Sequence, residues 1–147
     1  MRVVVQRVSE ASCTVEGNIV SKIKDGYMLL VGFETGDTVK EVEYLAKKIA
    51  NLRIFEDEDG KLNKSILDMK YEILSISQFT LYGDARKGNR PSFTRALDPV
   101  EAEKLYIRLT EILIDTYMIP TYNGVFGAMM DIALVNSGPV TIILESK

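Results

Sequence analysis

The first third of the chain is a series of short apolar runs separated by turn residues. Arg2–Val8 (RVVVQRV), Ala11–Val15 (ASCTV), Ile19–Ile23 (IVSKI) and Tyr27–Phe33 (YMLLVGF) read as strands. The EGN and KDG between them supply the Gly and Asn of tight turns, which predicts antiparallel hairpins. Tyr27–Val31 is continuously apolar, the pattern of a strand buried on both faces. The period then changes: Thr38 and Glu41 form a capping box, and Val39, Val42, Leu45, Ala46, Ile49 and Leu52 recur on one helical face. Tyr71–Leu81 (YEILSISQFTL) predicts a further strand. A second helix opens with Asp98 as cap, Pro99 at the first helical position and Glu101 completing a box. Its buried stripe is Ala102, Leu105, Tyr106, Leu109, Ile112 and Leu113, and it ends near Met118. Two strands close the chain, Ala128–Val135 (AMMDIALV) and Val140–Glu145 (VTIILE), joined by NSGP. The sum is one α+β domain over residues 1–147, a largely antiparallel sheet with two main helices packed on it.

Composition narrows the function classes. A chain of 147 residues can bury a core without staples, and 46% hydrophobic with 27% charged residues is the balance of a chain that folds on its own. No run reaches the roughly 18 apolar residues of a membrane span, and the N-terminal MRVVVQRVSE lacks a signal-peptide pattern, so the expected location is cytoplasmic, away from membranes. The lone Cys13 fits a reducing compartment and reads as a buried strand residue. The chain has no histidine, which removes Ser-His-Asp and Cys-His arrangements, His-ligated zinc and the usual neutral-pH proton shuttle. The acidic EDEDG turn has Phe55 and Ile66 where a calcium loop needs ligands, so an EF-hand is rejected. No metal and no cofactor is expected.

Two segments remain unexplained by folding alone. SQFTLYGDARKGNRPSF (Ser77–Phe93) follows an apolar strand with hydroxyls, amides and cations. Its GDARKGNR has the glycine spacing of a P-loop, yet Asn89 and Arg90 replace the Lys and Ser/Thr, which excludes that type of nucleotide hydrolysis. Arg86, Lys87, Arg90 and Arg95 against Asp84 make a local positive surplus in a chain of net charge −3. Such a cluster beside Tyr82 and Phe93 suits one stretch of phosphodiester, although a solvated loop has the same composition. Strand alternation puts Gln78 and Thr80 on one face and Ser77, Phe79 and Leu81 on the other, so Gln78 and Thr80 either share a site or cap the strand end. In NSGPVT, Gly138-Pro139 is either a plain turn between the last two strands or a cis peptide whose bare backbone can press against a ligand.

These segments, together with QRV (Gln6–Val8), NLRIFEDEDGKLN (Asn51–Asn63) and GVFGAMM (Gly124–Met130), resemble the D-aminoacyl-tRNA deacylases, the D-tyrosyl-tRNA deacylase family, in order over nearly the whole chain. The resemblance implies a barrel-like sheet and a homodimer with active sites at the interface. It places Ser77, Gln78, Phe79 and Thr80 in the catalytic pocket and inserts Gly138 and a cis Pro139 from the partner subunit as a chiral filter, with Arg7 holding that pair. Phe126, Ala128 and Met129 line the same region, and Arg86, Lys87 and Arg90 would touch tRNA. The implied reaction is hydrolysis of the ester between a D-amino acid and the 3′ adenosine of tRNA, a proofreading step in translation. An aminoacyl ester is already activated, so orientation, backbone donors near Phe79 and the ribose 2′-hydroxyl suffice without histidine; Thr80 as nucleophile is the rival mechanism. A filter against L side chains passes glycine. Ser137 stands where an acidic residue is common in the family. A non-catalytic RNA-binding module is the competing function, and a carboxylate-only metallohydrolase finds no paired ligands to support it.

Overall fold

The computed structural model describes residues 1–147. Three strands open the chain: β1 (Arg2–Val15), β2 (Asn18–Ile23) and β3 (Gly26–Gly32). Helix α1 (Val39–Asn51) follows, then the short β4 (Phe55–Glu56), β5 (Leu62–Lys64) and α2 (Ile66–Met69). Strand β6 (Glu72–Ser77) leads into a 3-10 turn (Phe79–Tyr82), and α3 (Pro99–Glu111) continues as a π turn (Ile112–Thr116). Strands β7 (Thr121–Asn123) and β8 (Asp131–Glu145) complete the chain.

The main sheet runs β2-β1-β3-β6-β7, with β8 on the other edge of β1. Pairing is antiparallel wherever β1 takes part and parallel between β3 and β6 and between β6 and β7. The sheet curls toward closure: the Ser21 hydroxyl on β2 donates to the Asn123 carbonyl on β7. This is the expected barrel-like α+β fold.

Two apolar cores result. Val3, Val5, Tyr27, Leu29 and Ile73 meet Val42, Leu45, Ile49, Leu109 and Leu113 between sheet and helices. Val8, Ala11, Cys13, Ile23, Met28, Leu74 and Ile76 fill the inside of the curl. Cys13 is a buried free thiol, as its apolar setting suggested, and burial pushes its pKa up, which keeps it unreactive.

Four local expectations change. The polar Ser9 and Glu10 do not separate two strands, because β1 stays continuous and absorbs Ser9 as a bulge between Val8 and Glu10. KDG turns the chain without making a hairpin: β3 pairs with the N-terminal half of β1, and β2 pairs with its C-terminal half. Residues past Ser77 leave the strand for the 3-10 turn, so alternation ends there. Asp98 caps α3 as expected, accepting from Val100 and Glu101 N–H, but the Glu101 carboxylate pairs with Lys104 instead of returning to the cap. Helix α1 does carry its full reciprocal Thr38–Glu41 box.

At Gly26, on the parallel β3–β6 pair, a Cβ would lie 1.8 Å from the Glu72 carbonyl oxygen. Gly26→Ala should therefore destabilise the fold by on the order of 3 kcal/mol or more. Gly60→Ala, where a Cβ meets nothing within 4 Å, has only its left-handed φ of 75° to oppose it. That variant should cost about 1–2 kcal/mol. Chemical denaturation of both variants checks the order, and equal midpoints would refute the clash.

Candidate active site

Strand β6 delivers Ser77 and Gln78 to the sheet end, where the Gln78 N–H still donates to the Val31 carbonyl of β3 at 2.7 Å. Beyond that bond the chain tightens into the 3-10 turn, with Leu81 N–H on Gln78 O at 3.2 Å and Gly83 N–H on Thr80 O at 2.9 Å. The tightening turns Phe79 and Thr80 outward, and both are exposed. Gln78 and Thr80 do meet, the Gln78 amide donating to the Thr80 hydroxyl. Turn geometry brings them together, in place of the strand alternation expected.

These residues form one wall of a cleft of about 670 Å³. The facing walls come from Phe93 and Ala96 after the basic loop, from Asp98, Pro99 and Ala102 at the start of α3, and from Phe126, Gly127, Ala128 and Met129 before β8. Tyr106 braces the cleft from behind: its hydroxyl donates to the Ser75 carbonyl and its ring meets Phe126 at 5.8 Å. Burial pushes the Tyr106 pKa up to about 12, so the hydroxyl stays a donor. At the mouth, Phe79 and Phe93 pack edge to face at 5.2 Å. Met129 is 92% exposed, an apolar side chain standing free beside an apolar cleft. The cleft thus joins Ser77, Gln78, Phe79, Thr80, Phe126, Ala128 and Met129. The contribution of the α3 N-terminus was missed; Asp98-Pro99 had announced a helix start, but nothing local showed where that start would dock.

Gly138, Pro139 and Arg7 do not line this cleft. The expected turn between two strands is absent, since both halves of β8 pair with β1. Gln6 faces Thr141 and Val8 faces Asn136, so Ser137 to Val140 bulge out opposite Arg7 alone. Within this excursion the Gly138-Pro139 peptide is cis and Gly138 has a φ of 131°.

Polar groups hold the excursion at both ends. The Asn136 carboxamide accepts from Val140 N–H and donates to the Thr141 hydroxyl, each at 3.0 Å. Arg7, 9% exposed, donates to the Ser137 carbonyl and to the Ile54 carbonyl, both at 2.9 Å, and its third nitrogen lies 3.7 Å from Glu56. A buried guanidinium so engaged fixes the backbone it touches. Ser137 contributes its carbonyl here, so the residue type at 137 does not enter this bond.

The basic loop is pinched at its neck, where Asp84 and Ser92 exchange backbone hydrogen bonds of 2.8 Å. Arg86 folds back in a fork on Asp84 at 2.7 and 2.9 Å, and that hydrogen-bonded fork holds the Asp84 carboxyl well below the usual carboxylate range. Lys87 and Arg90 stand exposed on the loop. The positive charge facing solvent is therefore carried by those two more than by Arg86.

The pattern of the D-Tyr-tRNA(Tyr) deacylase family matches residues 4–145. A D-aminoacyl-tRNA deacylase of Bacillus cytotoxicus is 58% identical over 147 residues, the whole of both chains. One of Brevibacillus brevis is 58% identical over 146 residues, covering 99% of this chain and all of that one. Among solved structures, a c-Myc DNA unwinding element binding protein superposes with a TM-score of 0.95 at 48% identity, over 100% of this chain and 99% of that one. A probable eukaryotic D-amino acid tRNA deacylase shares the fold, with a TM-score of 0.83 at 17% identity over 97% of each chain. With a family pattern spanning all but its ends and relatives alike from end to end, the chain belongs to the D-Tyr-tRNA(Tyr) deacylase family.

Proposed function

We propose that the protein hydrolyses the ester between a D-amino acid and the 3′ end of tRNA, releases free tRNA and spares the L ester. The observation that carries this reading is the chemistry of the cleft. Its one ionisable side chain is Asp98, engaged as the cap of α3, while Ser77, Gln78 and Thr80 supply neutral donors and acceptors. Apolar walls exclude water and suit an amino-acid side chain. Such a site orients an ester that is already activated; it does not generate a strong base. Phe79 and Thr80 N–H head the 3-10 turn and have no partner inside it, which leaves them available to the developing oxyanion.

The Thr80 hydroxyl takes a hydrogen bond from Gln78 and has no base beside it, so the attacking water is activated by the neighbouring ribose 2′-hydroxyl and not replaced by a Thr80 nucleophile. The chiral filter is the partner subunit's Gly138 and Pro139 in a homodimer. Two facts support this: the cis Gly-Pro excursion is exposed and rigidly tied to Arg7, and the cleft of the same chain does not include it. Glycyl-tRNA, with no side chain to reject, is a substrate too. Lys87 and Arg90 bind phosphates near the acceptor end, with Arg86 secondary. The competing reading, a nucleic-acid binding module, draws on the same loop and on the name of one structural neighbour, a c-Myc DNA unwinding element binding protein.

Three outcomes are expected. After exhaustive chelation of metals, the purified protein should release tRNA from D-tyrosyl-tRNA and leave L-tyrosyl-tRNA intact. Loss of neither ester with tRNA still bound would favour the binding module. Gly138→Ala places a Cβ 2.9 Å from the Arg7 guanidinium and 2.8 Å from the Val140 side chain, and should abolish D-ester cleavage without unfolding the protein; unchanged rates would remove the Gly-Pro wall from the mechanism. Thr80→Ala should retain activity within about tenfold, whereas loss of a nucleophile costs on the order of 10⁴-fold or more in single-turnover rate.

A further inference from the structure

The residue that closes the cleft-lining turn is itself held by two cations. Tyr82 ends the 3-10 turn and is 3% exposed. The Arg2 guanidinium lies over its ring at 4.9 Å from the centroid, and that of Arg95 at 5.5 Å. Attraction of a guanidinium to an aromatic face grows as both lose water. Each arginine is also tethered elsewhere. Arg2 donates to the Leu81 carbonyl and to the Glu145 carboxylate, both at 2.7 Å. Arg95 donates to the Glu34 carboxylate at 3.0 Å, while its own carbonyl accepts from Thr35 N–H at 3.0 Å.

The three side chains come from distant parts of the chain. Arg2 belongs to β1, Tyr82 to the exit of the turn, and Arg95 to the far root of the basic loop. Phe79 and Phe93 already couple the same two roots at the cleft mouth. None of Arg2, Tyr82 and Arg95 lines the cleft, so any effect on the reaction passes through the turn. An exposed Arg95–Glu34 pair by itself contributes little. Its placement over a buried ring at the end of the cleft-lining turn is what a surface pair does not explain.

We propose that Arg2, Tyr82 and Arg95 form a positioning clamp that fixes the turn carrying Phe79 and Thr80 and ties the basic loop to it. The clamp's part in catalysis rests on the deacylase reading above. Displacing groups around a reacting centre by about 1 Å is enough to lower a rate by about 100-fold.

Arg95→Ala tests the clamp, because the Arg95 side chain is half-exposed and its removal leaves both apolar cores intact. Amide exchange measured by NMR should quicken about tenfold at Leu81 and Gly83, the turn's own hydrogen-bonded amides, and stay unchanged in α1 and α3. On D-tyrosyl-tRNA, kcat should fall about 10- to 100-fold with KM within about twofold. Tyr82→Phe keeps the ring and should match the wild type; Arg95→Lys should recover only part, since an ammonium lacks the flat guanidinium face. Unchanged exchange at both amides overturns the clamp whether or not any ester is cleaved. A rise in KM alone also overturns it and makes Arg95 a phosphate contact. If the wild type cleaves no D ester while the exchange change is present, the deacylase reading fails and the clamp on the turn stands.

Discussion

Everything in this fold depends on the pairing of β1 along both edges. On one edge it meets β3 and then β2, and on the other it meets β8 from Arg2 to Thr14. A strand so enclosed has no free backbone edge, and its side chains serve two cores, Val3 and Val5 toward the helices and Val8, Ala11 and Cys13 inside the curl. The β1–β8 ladder also joins the two ends of the chain, Arg2 opposite Glu145. The Gly-Pro excursion is an interruption of this ladder. It exists because β8 carries Ser137 to Val140 where β1 offers only Arg7.

The excursion and the cleft are built on opposite physical terms. Polar groups hold the excursion: Arg7 bonds to two carbonyls and Asn136 closes the base of the bulge. A carbonyl bond is short and directional, so it sets the position of a glycine that has no side chain to pack. The cleft is walled by apolar groups, with a few neutral polar ones at the end of β6. Its shape follows from where the 3-10 turn, the start of α3 and the segment before β8 converge. Directional hydrogen bonds thus fix the backbone of the excursion, while packing of apolar side chains shapes the cleft.

Helices α1 and α3 and the longer strands were legible in the sequence because their causes are local, whereas the single-turn α2 and the two- and three-residue strands β4, β5 and β7 are too short to show a period. The Thr38–Glu41 box and the stripe from Val42 to Ile49 act within a few residues, and α1 has the bounds they imply. Apart from the Glu101 box, displaced by the neighbouring Lys104, errors fell where a distant partner overrides the local pattern. Ser9 and Glu10 are polar enough to break a strand, yet pairing with β8 carries β1 through them. Val135 and Val140 looked like the ends of two strands, yet both halves answer to β1.

For function, the sequence by itself determined the chemistry available. With no histidine and one buried cysteine, imidazole and thiolate chemistry are excluded, and the runs SQFTL and NSGPVT concentrate hydroxyls, amides and bare backbone. Only the tertiary structure decided how they meet. The turn after Ser77 joins Gln78 to Thr80, the docking of α3 walls their cleft, and the β1–β8 register sets Arg7 against Ser137. Residue types fix which bonds a group can make, because donors, acceptors and ring faces are properties of single side chains. Which groups lie near enough to make them depends on pairing between segments more than a hundred residues apart, such as Arg7 and Ser137 with a separation of 130, and no local pattern encodes that distance.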